Sequence, residues 1–166
     1  MNKLNEKWVE NRFAVRSVIL NDLWQIAILS VDNWEFYKIP WGWIDEWENE
    51  SDALVREVKE EAGCIIDIIS KLWTSSYIDP LKNTKNDIST CYISKKTGDY
   101  GSLDLTYFEK SRNFKLLWVT FDEAINLFNS KVTKNPYWIK QNDRDLAFVL
   151  KAKEYVDKNG FAKNEI

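Results

Sequence analysis

Gly42-Trp43-Ile44-Asp45-Glu46-Trp47-Glu48 leads through residues 49–55 into Arg56-Glu57-Val58-Lys59-Glu60-Glu61-Ala62-Gly63-Cys64, and this stretch decides how the 166-residue chain is read. Glu57, Glu60 and Glu61 stand at i, i+3 and i+4, so a helix stacks three carboxylates on one face. Like charges at that spacing repel by roughly 0.2–0.5 kcal/mol per pair, so something must make them worth keeping. A hard divalent cation does, because Mg²⁺ takes oxygen ligands and shares them with substrate phosphates. On the same helix Leu54, Val58 and Ala62 recur every four residues and form a buried stripe, which leaves the Glu face in solvent. Clustered Glu ordinarily means no more than a solvated acidic face. Such a face does not bring an Arg, two glycines and a distant Glu48 in register.

That register resembles the Nudix box, Gly-x5-Glu-x7-Arg-Glu-U-x-Glu-Glu-x-Gly-U, where U is a bulky aliphatic residue. Eight of nine fixed positions match from Gly42 to Gly63, and Cys64 departs at the final U. The resemblance implies a Nudix-type α/β/α sandwich with a mixed β-sheet between helices. It implies Mg²⁺-dependent hydrolysis of a nucleoside diphosphate linked to another group, with Mn²⁺ as a possible substitute. Glu57, Glu60 and Glu61 form its metal set, and Glu57, Glu60, Arg56 and Glu48 its catalytic set. In the family the Arg at position 56 pairs with the carboxylate at position 48 and orients the loop. Trp41 and Gly42 occupy the positions that meet the diphosphate. The general base stays open: Glu57 or Glu60 first, then Glu109 or Asp104 from a downstream loop. The small single-domain build favours nucleoside triphosphates as substrates. Pro80, sixteen residues beyond the box, resembles a proline of ADP-ribose hydrolases and keeps that alternative. Tyr77, Tyr92 and Phe108 are candidates for stacking a base. A non-catalytic nucleotide-binding module and an acidic interaction protein without a ligand are the competing classes.

Composition narrows the partners. A net charge of −3 and a pI near 5.2 argue against a nucleic-acid binder, which would carry a basic stripe. With no His and two cysteines outside any CxxC spacing, zinc sites and His-based triads lack support. A reducing cytosol fits, and a cytoplasmic, single-domain protein is expected over 1–166 with its core at about 13–158. Residues 1–10 lack the apolar region of a secretory signal, and no apolar run approaches the ~20 residues of a membrane span. A small-molecule nucleotide is the expected partner, and the reading leaves room for a homodimer.

Periodicity predicts strands over 13–20, 26–31 and 35–39, with Pro40 closing the third. A loop over 41–50 enters the helix over 51–62, capped by Asn49 or Ser51 and ended by Gly63 in the left-handed region. Strands follow over 65–72 and 88–94 around a polar loop at 80–87, then a strand over 115–119. Thr120 and Glu123 form a capping box for a helix to 128. Asn142 is expected to cap a last helix to 158, with Leu146, Val149, Leu150 and Val156 facing inward.

Nine Trp against five Gly inverts the usual proportion, Gly averaging ~7%. Trp24 and Trp34 fall in turns, Trp34 in a hairpin that wants Asn-Gly. Trp41, Trp43 and Trp47 interrupt a run that Nudix relatives commonly fill with glycine, and Trp73 follows a strand. Exchanging these six for Gly would leave eleven Gly and three Trp, an ordinary composition. Codon UGA is read as Trp in some bacteria and Gly in others, so a UGA-means-glycine gene translated with the other table would yield this chain. A Trp-rich divergent relative is the alternative.

Overall fold

The computed structural model describes residues 9–78 and 85–159. Seven strands form one sheet: β1 (Glu10–Leu20), β2 (Ile26–Val31), β3 (Phe36–Lys38), β4 (Trp41–Trp43), β5 (Cys64–Ile78), β6 (Lys85–Asp99) and β7 (Lys115–Val119). Four helices accompany them: α1 (Glu50–Ala62), α2 (Tyr107–Ser111), α3 (Phe121–Asn129) and α4 (Pro136–Asn159). The order is β3-β2-β1-β6-β5, with β4 added to β1 and β7 to β2. β1 runs parallel to β6 along its whole length, while the other pairings are antiparallel, so the sheet is mixed.

Alternation along β1 splits the core into two layers. Val15 and Ile19 join Ala53, Leu54, Val58 and Ala62 of α1, whereas Val18 and Leu20 join Phe128 of α3 and Phe148, Val149 and Ala152 of α4. Helices therefore cover both faces, and the α/β/α sandwich is present. No described helix is long and apolar enough to cross a membrane.

Several expectations need correction. The loop over 41–50 contains β4, because Trp41 to Trp43 pair with Arg16 to Ala14. β5 and β6 outrun the predicted strands and form a long hairpin whose register shifts three times. The last helix begins at Pro136, where Asn135 accepts a hydrogen bond from the Tyr137 N–H at 2.9 Å and proline takes the first turn at no cost. Asn142 is thus interior and buried: it accepts from Tyr37 N at 3.1 Å and donates to Phe128 O at 2.9 Å. Leu150 points to solvent. Pro80 and the 79–84 segment lie outside the described residues.

Candidate active site

α1 starts where the Asn49 side chain accepts from Asp52 N, with Glu50 and Asp52 at the positive end of its dipole. It ends at Gly63, whose φ of 62° is the left-handed region a β-carbon disfavours. Between these ends the acid face does not point to open solvent. Glu57 is 9% exposed and Glu61 1%, while Glu60 is half-buried. The sheet causes this. β4 lies across the helix, and Gly42 meets Glu57 so closely that a β-carbon at 42 would overlap the carboxyl group. Glycine is needed here for close approach rather than for its φ.

Arg56 organises the loop. Its Nε and Nη2 donate to Glu48 Oε1 and Oε2 at 2.8 and 2.7 Å, a bidentate pair, and Nη2 also donates to Trp43 O at 3.0 Å. Nη1 donates to Glu57 Oε1 at 2.6 Å and lies 3.8 Å from Glu60 Oε2. Glu61 turns the other way. Lys38 Nζ, at the end of β3, donates to its Oε1 at 2.5 Å, and the Trp41 N–H donates to its Oε2 at 2.8 Å.

These contacts set the charges. The Arg56 hydrogen bond holds Glu48 below the usual carboxylate range. Burial raises Glu57, with Arg56 pulling it back. Burial also raises Glu60, and Glu109 and Asp104 add to the rise while Arg56 opposes it. Glu61 is pushed up to about 7 by burial, against the pull of Lys38.

Glu57, Glu60 and Glu61 line one cavity of about 480 Å³. Much of the remaining lining is aromatic, with Phe36, Phe108, Phe114, Tyr137 and Trp138 besides Trp41 and Trp43. Trp138 stacks on Phe36 with centroids 5.0 Å apart, and the Arg112 guanidinium lies 4.8 Å from its ring. Lys38 lies 4.7 Å from the Phe114 ring centre. Phe108 is 54% exposed and Tyr137 43%, the most open of these side chains.

The placements differ among the sequence candidates. Glu57, Glu60, Glu61, Arg56, Trp41 and Gly42 line the cavity, while Glu48 stands behind Arg56. Trp41 spends its N–H on Glu61 and lays its indole 4.2 Å from the Arg16 guanidinium, so a phosphate finds no free amide there. Glu109 reaches the cavity from α2 while capping Thr106 N at 2.7 Å; Asp104 is exposed and outside the lining. Tyr77 and Tyr92 lie away from the cavity, and the Tyr92 hydroxyl donates to Glu50. Lys38, Phe36, Phe114 and Trp138 were not singled out. A lone cation inside the buried Phe36–Lys38 strand was the available signal.

Among the described residues no three acids converge on one point at ligand distance as they stand. Arg56 engages Glu57 and lies near Glu60, while Lys38 engages Glu61. In donor chemistry and position the set nevertheless suits a hard cation: hard oxygen ligands, two of them buried, on one cavity wall.

The NUDIX domain family matches residues 11–141. A NUDIX hydrolase from Nitrosomonas europaea is similar in structure, with a TM-score of 0.59 at 16% identity over 83% of this chain and 89% of that one. A MutT protein from Methanosarcina mazei gives 0.54 at 14%, over 89% and 96%. A MutT NUDIX hydrolase from Burkholderia pseudomallei gives 0.51 at 21%, over 68% and 85%. At such identities the likeness concerns the fold. No curated protein matches the sequence at a significant level.

Proposed function

Because the chain belongs to the Nudix family of hydrolases, with the domain over residues 11–141, we propose that it is a single-domain, divalent-metal-dependent pyrophosphohydrolase. Its substrate is a nucleoside diphosphate linked to a further group, a nucleoside triphosphate before others. One observation carries the reading: the acid face, the Arg56 clamp and an aromatic wall line the same cavity.

Glu57, Glu60 and Glu61 would hold the cation, Mg²⁺ or in its place Mn²⁺. Bound there, it would neutralise diphosphate charge and lower the pKa of an attacking water. Arg56 fixes the loop through Glu48 and orients Glu57. Glu60 is the base we favour, since its carboxylate lines the cavity and is half-open, with Glu57 the alternative. Phe108, exposed where it lines the cavity, would stack an aromatic base.

A second reading, a nucleotide-binding module without turnover, gains from one observation: two indoles, Trp41 and Trp43, occupy the β4 side of the cavity. A Mg²⁺ activity screen over nucleoside triphosphates, ADP-ribose, NADH and dinucleoside polyphosphates tests both. The hydrolase predicts turnover that Glu57→Gln or Glu60→Gln lowers by orders of magnitude. Nucleotide binding without turnover, in the chain as written and in its six-glycine form, selects the module instead.

A further inference from the structure

We propose that Lys38 is a positioning residue that stands in for the metal: it holds the Glu61 carboxylate in the metal-free protein and is the group a divalent cation displaces. The proposal rests on the reading that this acid face takes a cation.

Lys38 is 5% exposed, and lysine is almost never buried unless paired. Its neighbour Tyr37 faces the α3–α4 core, so Lys38 faces the opposite side, toward the cavity. There its Nζ takes one oxygen of Glu61, whose other oxygen is held by the Trp41 N–H. The carboxylate is thereby fixed before any metal arrives.

The two cations of the site are not equivalent. Arg56 is tied to Glu48 twice, to Trp43 O and to Glu57, so it cannot leave without opening the loop. Among the described residues, Glu61 is the anion with which Lys38 forms an ion pair. Its ammonium also lies 5.2 Å from the Trp41 ring centre and 4.7 Å from that of Phe114, and Glu57 is within reach of its charge. A compact ammonium on a flexible four-carbon stem can leave such a place. Displaced from Glu61, it stays inside the cavity it lines, where the diphosphate oxygens of the substrate would be its next anions.

The experiment titrates Mn²⁺ into metal-free protein, reading free Mn²⁺ by electron paramagnetic resonance, and follows thermal unfolding with and without Mn²⁺. Lys38→Met removes both the competitor and a like charge. We expect it to bind Mn²⁺ about tenfold tighter, equivalent to ~1.4 kcal/mol. Its melting temperature should fall without metal, where Glu61 is left buried and unpaired, and recover toward wild type when Mn²⁺ is saturating. Lys38→Arg keeps the charge and adds a fork that can hold Glu61 at two points, so it should bind Mn²⁺ no tighter than wild type. If Lys38→Met folds only with Mn²⁺ present, the proposal is supported, and Lys38→Gln supplies the affinity. Unchanged or weaker Mn²⁺ binding overturns it, as does an equal loss of melting temperature in both conditions. Mn²⁺ that binds neither wild type nor variant overturns the hydrolase reading together with this proposal.

Discussion

Trp24 and Trp34 adopt φ of 59° and 75°, a region where a bulky side chain crowds its own backbone. Asp32 and Asn33, at 50° and 56°, tolerate it because short polar side chains bond locally. An indole does not, and such strain costs on the order of 1–3 kcal/mol per residue. Trp41, Trp43, Trp47 and Trp73 show no positive φ. Trp41 and Trp43 instead stack on Arg16 and Arg12, at 4.2 and 4.4 Å. The six positions thus divide, which the sequence did not suggest. Trp24→Gly and Trp34→Gly should each raise stability by ~1 kcal/mol or more in thermal unfolding. Trp41→Gly and Trp43→Gly should not; they uncover two guanidinium groups beside the cavity, and their effect should appear in KM. Melting temperatures unchanged by glycine at 24 and 34 would argue that the indoles belong there. Tandem mass spectrometry of the tryptic peptide over 39–56 from the native source reads positions 41, 43 and 47 directly.

The loop and helix around Arg56 behave as one element, and the expected stability effects change accordingly. An acid face in solvent would lose little from Glu61→Gln. Glu61 is buried against Lys38, so that substitution breaks a buried pair, a change that typically costs about 3–5 kcal/mol. Gly42→Ala should act oppositely: the flexible Glu57 carboxyl group yields to the new methyl, so kcat falls far more than stability does. Glu48 supplies a pH dependence. Its pKa is held below the unfolded value by Arg56, so its contribution is complete near neutrality and is lost as pH falls through the depressed value. Urea unfolding of wild type and Glu48→Gln should differ at pH 7 and converge in acid; a constant gap would place the contribution elsewhere. α1 was legible from its caps, its stripe and its box, because each is a local signal. β4 was not, since three residues alternating Trp-Gly-Trp carry no periodicity and pair only because β1 is there. α2 was overlooked although Thr106 and Glu109 form the same capping box as Thr120 and Glu123. Its five residues are too short to show an apolar face.

Across the whole molecule, α4 ties the far layer to the site. Asn142 and Asp145, three residues apart, accept from Tyr37 N and Ile39 N, and so satisfy alternate donors of the chain that runs on to Pro40 and Gly42. Asp145 also pairs with Arg16 of β1 at 3.1 Å, both side chains buried, and Arg16 donates to Ser89 and Gln141 at 2.7 and 3.0 Å. Burial lowers Arg16 to about 10, which still leaves it charged near neutrality. Sequence reading placed Asn142 at the start of the helix because Asn is a favoured cap, and no local signal distinguishes a cap from a buried cross-link. Nor does any local pattern connect Arg16 to Asp145, since only the folded sheet brings β1 beneath α4. The pair makes stability and site geometry inseparable. Asp145→Leu strands a buried guanidinium and the Ile39 N–H, and should cost about 3–5 kcal/mol in urea unfolding. Adding Arg16→Met removes the stranded charge, so the double variant should recover part of that loss, with a coupling of ~0.5–3 kcal/mol. It should not recover kcat to the same degree, because Ile39 N still lacks its acceptor and the 39–42 segment that positions Gly42 against Glu57 is loosened. Additive losses in stability would mean that Arg16 and Asp145 act separately, through Ser89 on one side and the Ile39 amide on the other.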